Sequence, residues 1–239
     1  MRFRKRRVAG VQTASLIMFA IVLAGPVVEV KRPVPRLNSS RAFQRALTER
    51  VTANFLDAPL RRGLAGISAK WKVAILLDRR VDPTRKITLS LKETPLKDAI
   101  AAIAKSVSAR TAIVGNTIYI GPASAVAALD DVIEKRGAEW RNAAKSWPRA
   151  RRRALIAHPT LHWNDLDRPR DLVKEFAAKF GLTVDGLDKV PHDLWAGATF
   201  PACSVSQGLS LLLVQFDLTF RWKPDGSGIE IVPLAAPKK

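Results

Sequence analysis

Apolar residues recur along this chain in two arrays of one design. Leu96, Ile100, Ile103, Ala104 and Val107 fall at i, i+4, i+7, i+8 and i+11, and Val205, Leu209, Leu212, Leu213 and Phe216 repeat that spacing 109 positions later. Each set is the buried stripe of an amphipathic helix. Residues 51–122 and 161–233 therefore read as two copies of one small unit, the second diverged.

In the first unit Val51–Phe55 predicts a strand, and Asp57 with Pro59 predicts a helix start, the aspartate as N-cap and the proline in the first turn. Leu64, Ile67 and Trp71 face the core from that helix, which Gly63 and Gly66 weaken. Val73–Leu77 reads as a buried strand. Ile87, Leu89 and Leu91 alternate with polar residues as a half-buried strand, and Thr94-Pro95 caps the next helix. Thr111–Val114 and Thr117–Ile120 flank Gly115-Asn116, a two-residue hairpin signal.

The second unit repeats the order. Asp167 and Pro169 open a helix with Val173, Phe176 and Phe180 inward, and Gly181 closes it. Asp57 and Asp167 are 110 apart, so the register is expected to slip by one residue near the helix start. Leu182–Val184 and Trp195–Phe200 hold strands, and Leu218–Trp222 and Ile229–Val232 flank a turn at Pro224-Asp225-Gly226. The fold class is α+β, two βαββαββ modules joined by a helical linker over 123–160. That linker carries Val126, Leu129, Val132, Ile133, Trp140 and Ala144 on one stripe and is broken at Pro148. Residues 31–50 read as a proline-punctuated spacer and a short helix around Phe43, and 234–239 as a tail.

Charge changes the picture at both ends of this scheme. The chain has 239 residues, with 40 lysines and arginines against 21 acidic residues, a net charge of +19. Met1–Arg7 holds five basic residues, and Leu16–Gly25 follows with no polar side chain. A basic stretch before a short apolar core is the form of a secretory leader, with Val22 and Ala24 small enough for a cut after Ala24. Residues 1–30 also fit an uncleaved anchor, since Val8–Val30 has the length to span, although Gln12, Thr13, Ser15, Pro26 and Glu29 dilute it. Either reading predicts an exported protein, in the periplasm or anchored in the inner membrane and facing it. The single cysteine, Cys203, fits an exported protein without disulfides and reads as a small buried hydrophobe.

With the elements placed, a resemblance becomes visible. Phe55-Leu56-Asp57-Ala58-Pro59-Leu60, the strand Ile87–Leu91, Thr94-Pro95-Leu96-Lys97-Asp98-Ala99-Ile100 and the closing hairpin Gly115–Ile120 resemble the short N-terminal domain shared by secretins and TonB-dependent receptors. The second unit looks like a diverged copy, with Ser204–Leu209 in place of the Pro-Leu step. The resemblance implies a periplasmic domain that binds other proteins, peptide segments or its own copies, with no catalytic residues to carry over. Pore-forming members follow this domain with a secretin ring, and receptors with a barrel. No such segment follows Val232 here, so neither role is expected of this chain.

Catalytic signatures are not found. His158 and His162 are four apart, but Pro159 lies between them and no further ligands accompany them. His192 sits in a loop, Ser204 and Ser206 read as helix-start serines, and no nucleophile elbow or phosphate loop is present. No enzyme activity, cofactor or metal is expected. The expected function is docking of another cell-envelope protein, including a component of a secretin- or TonB-type system, or self-association, by edge-strand pairing or helix-face docking. The candidate edges are Thr117, Ile118, Tyr119 and Ile120, and Ile229, Glu230, Ile231 and Val232. The alternative is a polyanion, anionic lipid or acidic polymer, held by Arg149, Arg151, Arg152 and Arg153 with Trp140, Trp147 and Trp163 nearby. That arginine run also reads as a solvated linker. The membrane is a further contact through the N-terminus if uncleaved, and export makes nucleic acid an improbable ligand.

Overall fold

A computed structural model describes residues 36–235, so the leader or anchor read at 1–30 and the tail end lie outside the described residues. Helix α1 (Ser40–Thr48) precedes strand β1 (Arg50–Pro59), helix α2 (Leu60–Trp71), β2 (Ala74–Leu77), β3 (Lys86–Pro95), α3 (Leu96–Ser106), β4 (Arg110–Val114) and β5 (Thr117–Gly121). The connecting segment forms α4 (Ala123–Ala143), a 3-10 turn and α5 (Arg149–Leu155). Then come β6 (Leu161–Trp163), α6 (Pro169–Ala178), β7 (Thr183–Asp185), β8 (Ala198–Phe200), α7 (Val205–Leu213), β9 (Leu218–Trp222) and β10 (Gly228–Pro233). The architecture is mixed α+β. β1 pairs with β3, and a second sheet runs β2-β5-β4; after the connection β6 pairs with β8, and the last sheet runs β7-β10-β9. In each three-stranded sheet the middle strand is parallel to one neighbour and antiparallel to the other.

Backbone conformation exposes a finer periodicity. The four core helices start at Leu60, Leu96, Pro169 and Val205. Three positions before these starts the chain turns left-handed, at Asp57, Glu93, Leu166 and Ala202. Twelve positions after them it does so again, at Lys72, Ser108, Gly181 and Asp217. Equivalent residues are thus 36 apart within each half and 109 apart between halves. The first set bends the strand into the helix, and the second terminates it. In β1 and β3 the bend is a bulge, at Leu56-Asp57 opposite Thr88 and at Lys92-Glu93 opposite Thr52. Each bulge N–H is held by the threonine across from it: Asp57 N–H donates to Thr88 Oγ1 at 3.2 Å, and Glu93 N–H to Thr52 Oγ1 at 3.1 Å. These bonds offset a left-handed cost of roughly 1–2 kcal/mol per non-glycine residue.

Two expectations about helix starts are corrected by this geometry. Asp57 is not an N-cap; Pro59 and Pro95 occupy the caps of α2 and α3, and no side chain caps either helix. The counterpart of Asp57 is Leu166 rather than Asp167, so the register does not slip. Pro169 does open α6, with Arg168 as the cap. α7 is the one core helix with a reciprocal capping box, between Ser204 and Gln207.

The core lies in two clusters. Phe43, Leu60, Ile87, Leu96, Ile100 and Ile103 build the first, and Trp163, Phe176, Phe180, Phe200, Leu212 and Phe220 anchor the second. The second also takes in Leu76, Ala112, Val114 and Tyr119 from the first half, with Leu129, Trp147 and Leu155 of the connecting segment. The β2-β5-β4 sheet is therefore buried on both faces, Ile118 and Ile120 in one cluster and Tyr119 in the other. The two halves share a core, and the connecting segment is part of it: α4 packs on α7, β4 and β9.

This packing overturns the proposed docking edges. Thr117, Ile118, Tyr119 and Ile120 form the middle strand β5, bonded on both sides and buried throughout. Ile229, Glu230, Ile231 and Val232 lie in β10, again the middle of three. The closing hairpin strand enters between its partner and a strand laid down earlier, so its backbone groups are already paired. The unpaired edges of ten-residue strands belong instead to β1 and β3, the members of a two-stranded sheet.

A polar seam ties the halves together. Asp78 follows β2, and its side chain is fully buried. It takes a bidentate pair from Arg80 at 2.9 and 2.8 Å and a hydrogen bond from the Tyr119 hydroxyl. Arg80 reaches on to Asp217 at 2.7 Å and to the Val214 carbonyl at 3.1 Å, both in the second half. Burial, and then the Asp78 charge, push the Tyr119 phenol well above its ordinary range, keeping it a donor. Beside this, Arg79 pairs with Asp193 at 2.7 Å and lies over Phe216, which stacks on Trp195.

Cys203 is buried, and burial pushes its thiol up to about 12 from 9.0. An unfolded thiol ionises first, so this group's contribution to stability falls as pH rises from 9.0 towards about 12. Alkylation by iodoacetamide at pH 8 is expected to leave native Cys203 largely unmodified while urea-unfolded chains react fully. Comparable labelling of the two forms would refute burial.

Candidate functional site

The first helix of the connecting segment ends at Ala143, earlier than the break expected at Pro148; a 3-10 turn over Ala144–Ser146 follows, Pro148 caps α5, and residues of α4, the turn and α5 together line a groove. On α5, Arg149, Arg152, Arg153 and Ile156 stand at i, i+3, i+4 and i+7, a spacing that puts all four on one face. Leu155 points the other way into the core. From α4 and the turn after it come Trp140, Arg141, Ala144 and Lys145, at i, i+1, i+4 and i+5. These eight residues enclose about 460 Å³, with Ala144 buried at the floor and Ile156 59% exposed at the rim.

Five cations meet there without an acidic residue in the lining. Among the described residues none of the five makes an ion pair or a side-chain hydrogen bond. Like charges gathered over a partly apolar floor repel one another and raise the local positive potential, which an anion relieves. Three of the planar forks are arginines on one helical turn and a half, suited to paired oxygens of phosphate or carboxylate. Trp140 adds a ring and an N–H, and its buried Nε1 has no hydrogen-bond partner among the described residues.

A second hollow of about 430 Å³ continues the groove, sharing Trp140, Arg141 and Ile156. Its lining is different in kind: Ile133, Gly137 and Leu155 supply apolar surface, with Glu134, His158, Ser204, Ser206 and Gln207 around them. The α7 capping box thus stands at the far end of the groove from the arginines.

The expected arginine set is only partly gathered. Arg149, Arg152 and Arg153 line the groove, whereas Arg151 is turned away and donates to the Gly181 carbonyl beyond α6. Of the tryptophans considered with them, Trp147 and Trp163 are core residues and Trp140 alone lines the groove. Arg141, Lys145 and Ile156 were missed in the sequence reading, although helical spacing from Trp140 and from Arg149 would have found them. Elsewhere, His162 Nδ1 lies 2.9 Å from Thr199 Oγ1 across β6 and β8. Among the described residues no group of three or more His, Cys, Asp and Glu is placed to hold a metal, and no helix is long and apolar enough to cross a membrane. No known protein family and no curated protein matches this chain.

Proposed function

We propose that the chain is a non-catalytic, exported envelope protein whose working surface is the cationic groove of α4 and α5, where it binds an anionic ligand. The observation that carries this reading is the gathering of Arg141, Lys145, Arg149, Arg152 and Arg153 around Trp140 with no acidic partner. The strand order on either side of the connection supports reading each half as one βαββαββ module of the secretin and TonB-receptor N-terminal type. In that reading the two modules form the scaffold, and the helical segment between them presents the ligand site.

The test is calorimetric titration of the full chain with inorganic tripolyphosphate across a salt series. Affinity is expected to fall steeply as salt rises. Replacing Arg149, Arg152 and Arg153 together by serine is expected to weaken binding about fiftyfold, at about 0.8 kcal/mol per charge. Arg151→Ser is expected to stay within about twofold, since its guanidinium is committed to Gly181. An unchanged affinity in the triple variant defeats the proposal. A second reading rests on the unpaired outer edges of β1 and β3, which fit strand addition by a protein partner. An envelope protein captured equally by wild type and triple variant in high salt would favour those edges.

A further inference from the structure

Two hollows of unlike chemistry meet at Trp140 and Ile156, and that junction specifies more than charge. At one end the lining is cationic, with no acid. At the other, Ile133, Gly137 and Leu155 supply apolar surface, with Glu134 and His158 among the polar groups beside them. An inorganic anion has no use for the second hollow, and a purely apolar ligand leaves the arginines unanswered. Resting on the anion-binding reading above, we propose that the ligand is a single anionic phospholipid, its phosphate on Arg149, Arg152 and Arg153 and its first chain carbons along Trp140 and Ile156.

Three observations meet in this assignment. Ile156 is 59% exposed and follows Arg149, Arg152 and Arg153 on one helical stripe, so apolar surface adjoins the charges and is shared by both hollows. Trp140 lines both hollows, its ring supplying apolar surface where the cationic lining meets Ile133 and Gly137. The hollows, about 460 and 430 Å³ and open to solvent, each expose more apolar than polar surface beside the cations. An acidic peptide would answer the arginines equally, but a strand or helix of it would present side chains of changing polarity to the apolar stretch.

Calorimetry on the full chain separates the alternatives with three soluble probes: monomeric dihexanoyl-phosphatidylglycerol, dihexanoyl-phosphatidylcholine and inorganic phosphate. Wild type and Ile156→Asn share residues 1–35, so any binding of a given probe through that segment cancels between the two chains. The phosphatidylglycerol is expected to bind at least about tenfold more tightly than either other probe, from joint use of charge and apolar contact. Ile156→Asn, which keeps the charge, is expected to cost the lipid about tenfold and leave inorganic phosphate unchanged. Equal affinity for phosphate and phosphatidylglycerol, with no effect of Ile156→Asn, would overturn the lipid while leaving an anion site. Phosphatidylcholine binding as tightly as phosphatidylglycerol, or no binding of any probe, would overturn both readings. Capture of a ten-residue glutamate-rich peptide without lipid binding would replace the lipid by a protein partner.

Discussion

Asp78→Ala is expected to destabilise the protein by about 3 kcal/mol, the lower end of the cost of breaking a buried charged pair, because Arg80 retains partial solvent access. The carboxylate answers four donors at once: the backbone N–H and two guanidinium nitrogens of Arg80, and the Tyr119 hydroxyl. Alanine removes the acceptor and leaves a phenol in the second core with no oxygen to meet. Arg80 also bridges to Asp217 and the Val214 carbonyl, so its altered position is felt across the seam between the halves. Asp78→Asn keeps one acceptor for these groups and is expected to lose less. Urea unfolding of wild type and both variants measures the difference, and an Asp78→Ala midpoint equal to wild type would show that the seam contributes nothing.

Gly208→Ala is expected to cost about 2–3 kcal/mol through overpacking. A methyl on Gly208 falls 2.2 Å from the Phe176 ring, well inside contact distance, where α7 crosses α6. The equivalent positions 109 earlier hold Ile67 and Ala99 in place of Phe176 and Gly208. A larger residue on one helix is matched by a smaller one on the other, so each half fills its helix crossing differently. The double variant Phe176→Ile, Gly208→Ala restores the first half's combination. It is expected to be more stable than the sum of the single effects by at least about 1 kcal/mol in a double-mutant cycle. Additive single effects would show that the two positions do not share the space.

Much of this fold was legible in the apolar spacing. The 109-residue repeat places the stripes of α3 and α7, and Gly115-Asn116 marks the hairpin turn. The 36-residue repeat within each half was equally present, in Thr52 and Thr88, Pro59 and Pro95, Leu60 and Leu96, but it is carried by backbone conformation more than by residue type. Asp57, Glu93, Leu166 and Ala202 share a left-handed turn and no side-chain chemistry. The place of β5 was readable too. Ile118-Tyr119-Ile120 has no polar alternation, which belongs to a strand buried on both faces and not to an edge. The seam was not readable, because the second-half partners of Arg80 lie 134 and 137 residues away in the chain and nothing local marks them. The groove stands between: Arg149, Arg152 and Arg153 announce themselves, while Arg141 and Lys145 join them only through the path of the chain between α4 and α5.

Sharing one core between the halves also sets an order of events during synthesis. A ribosome delivers residues 51–122 before residues 161–233 exist, and at about 5–20 residues per second the interval lasts roughly 5–20 s. Through that interval Leu76, Ala112, Val114 and Tyr119 have no covering partner, and Asp78 and Arg80 hold each other without the second half. A first half folded before α7 exists would therefore present its Tyr119 face uncovered.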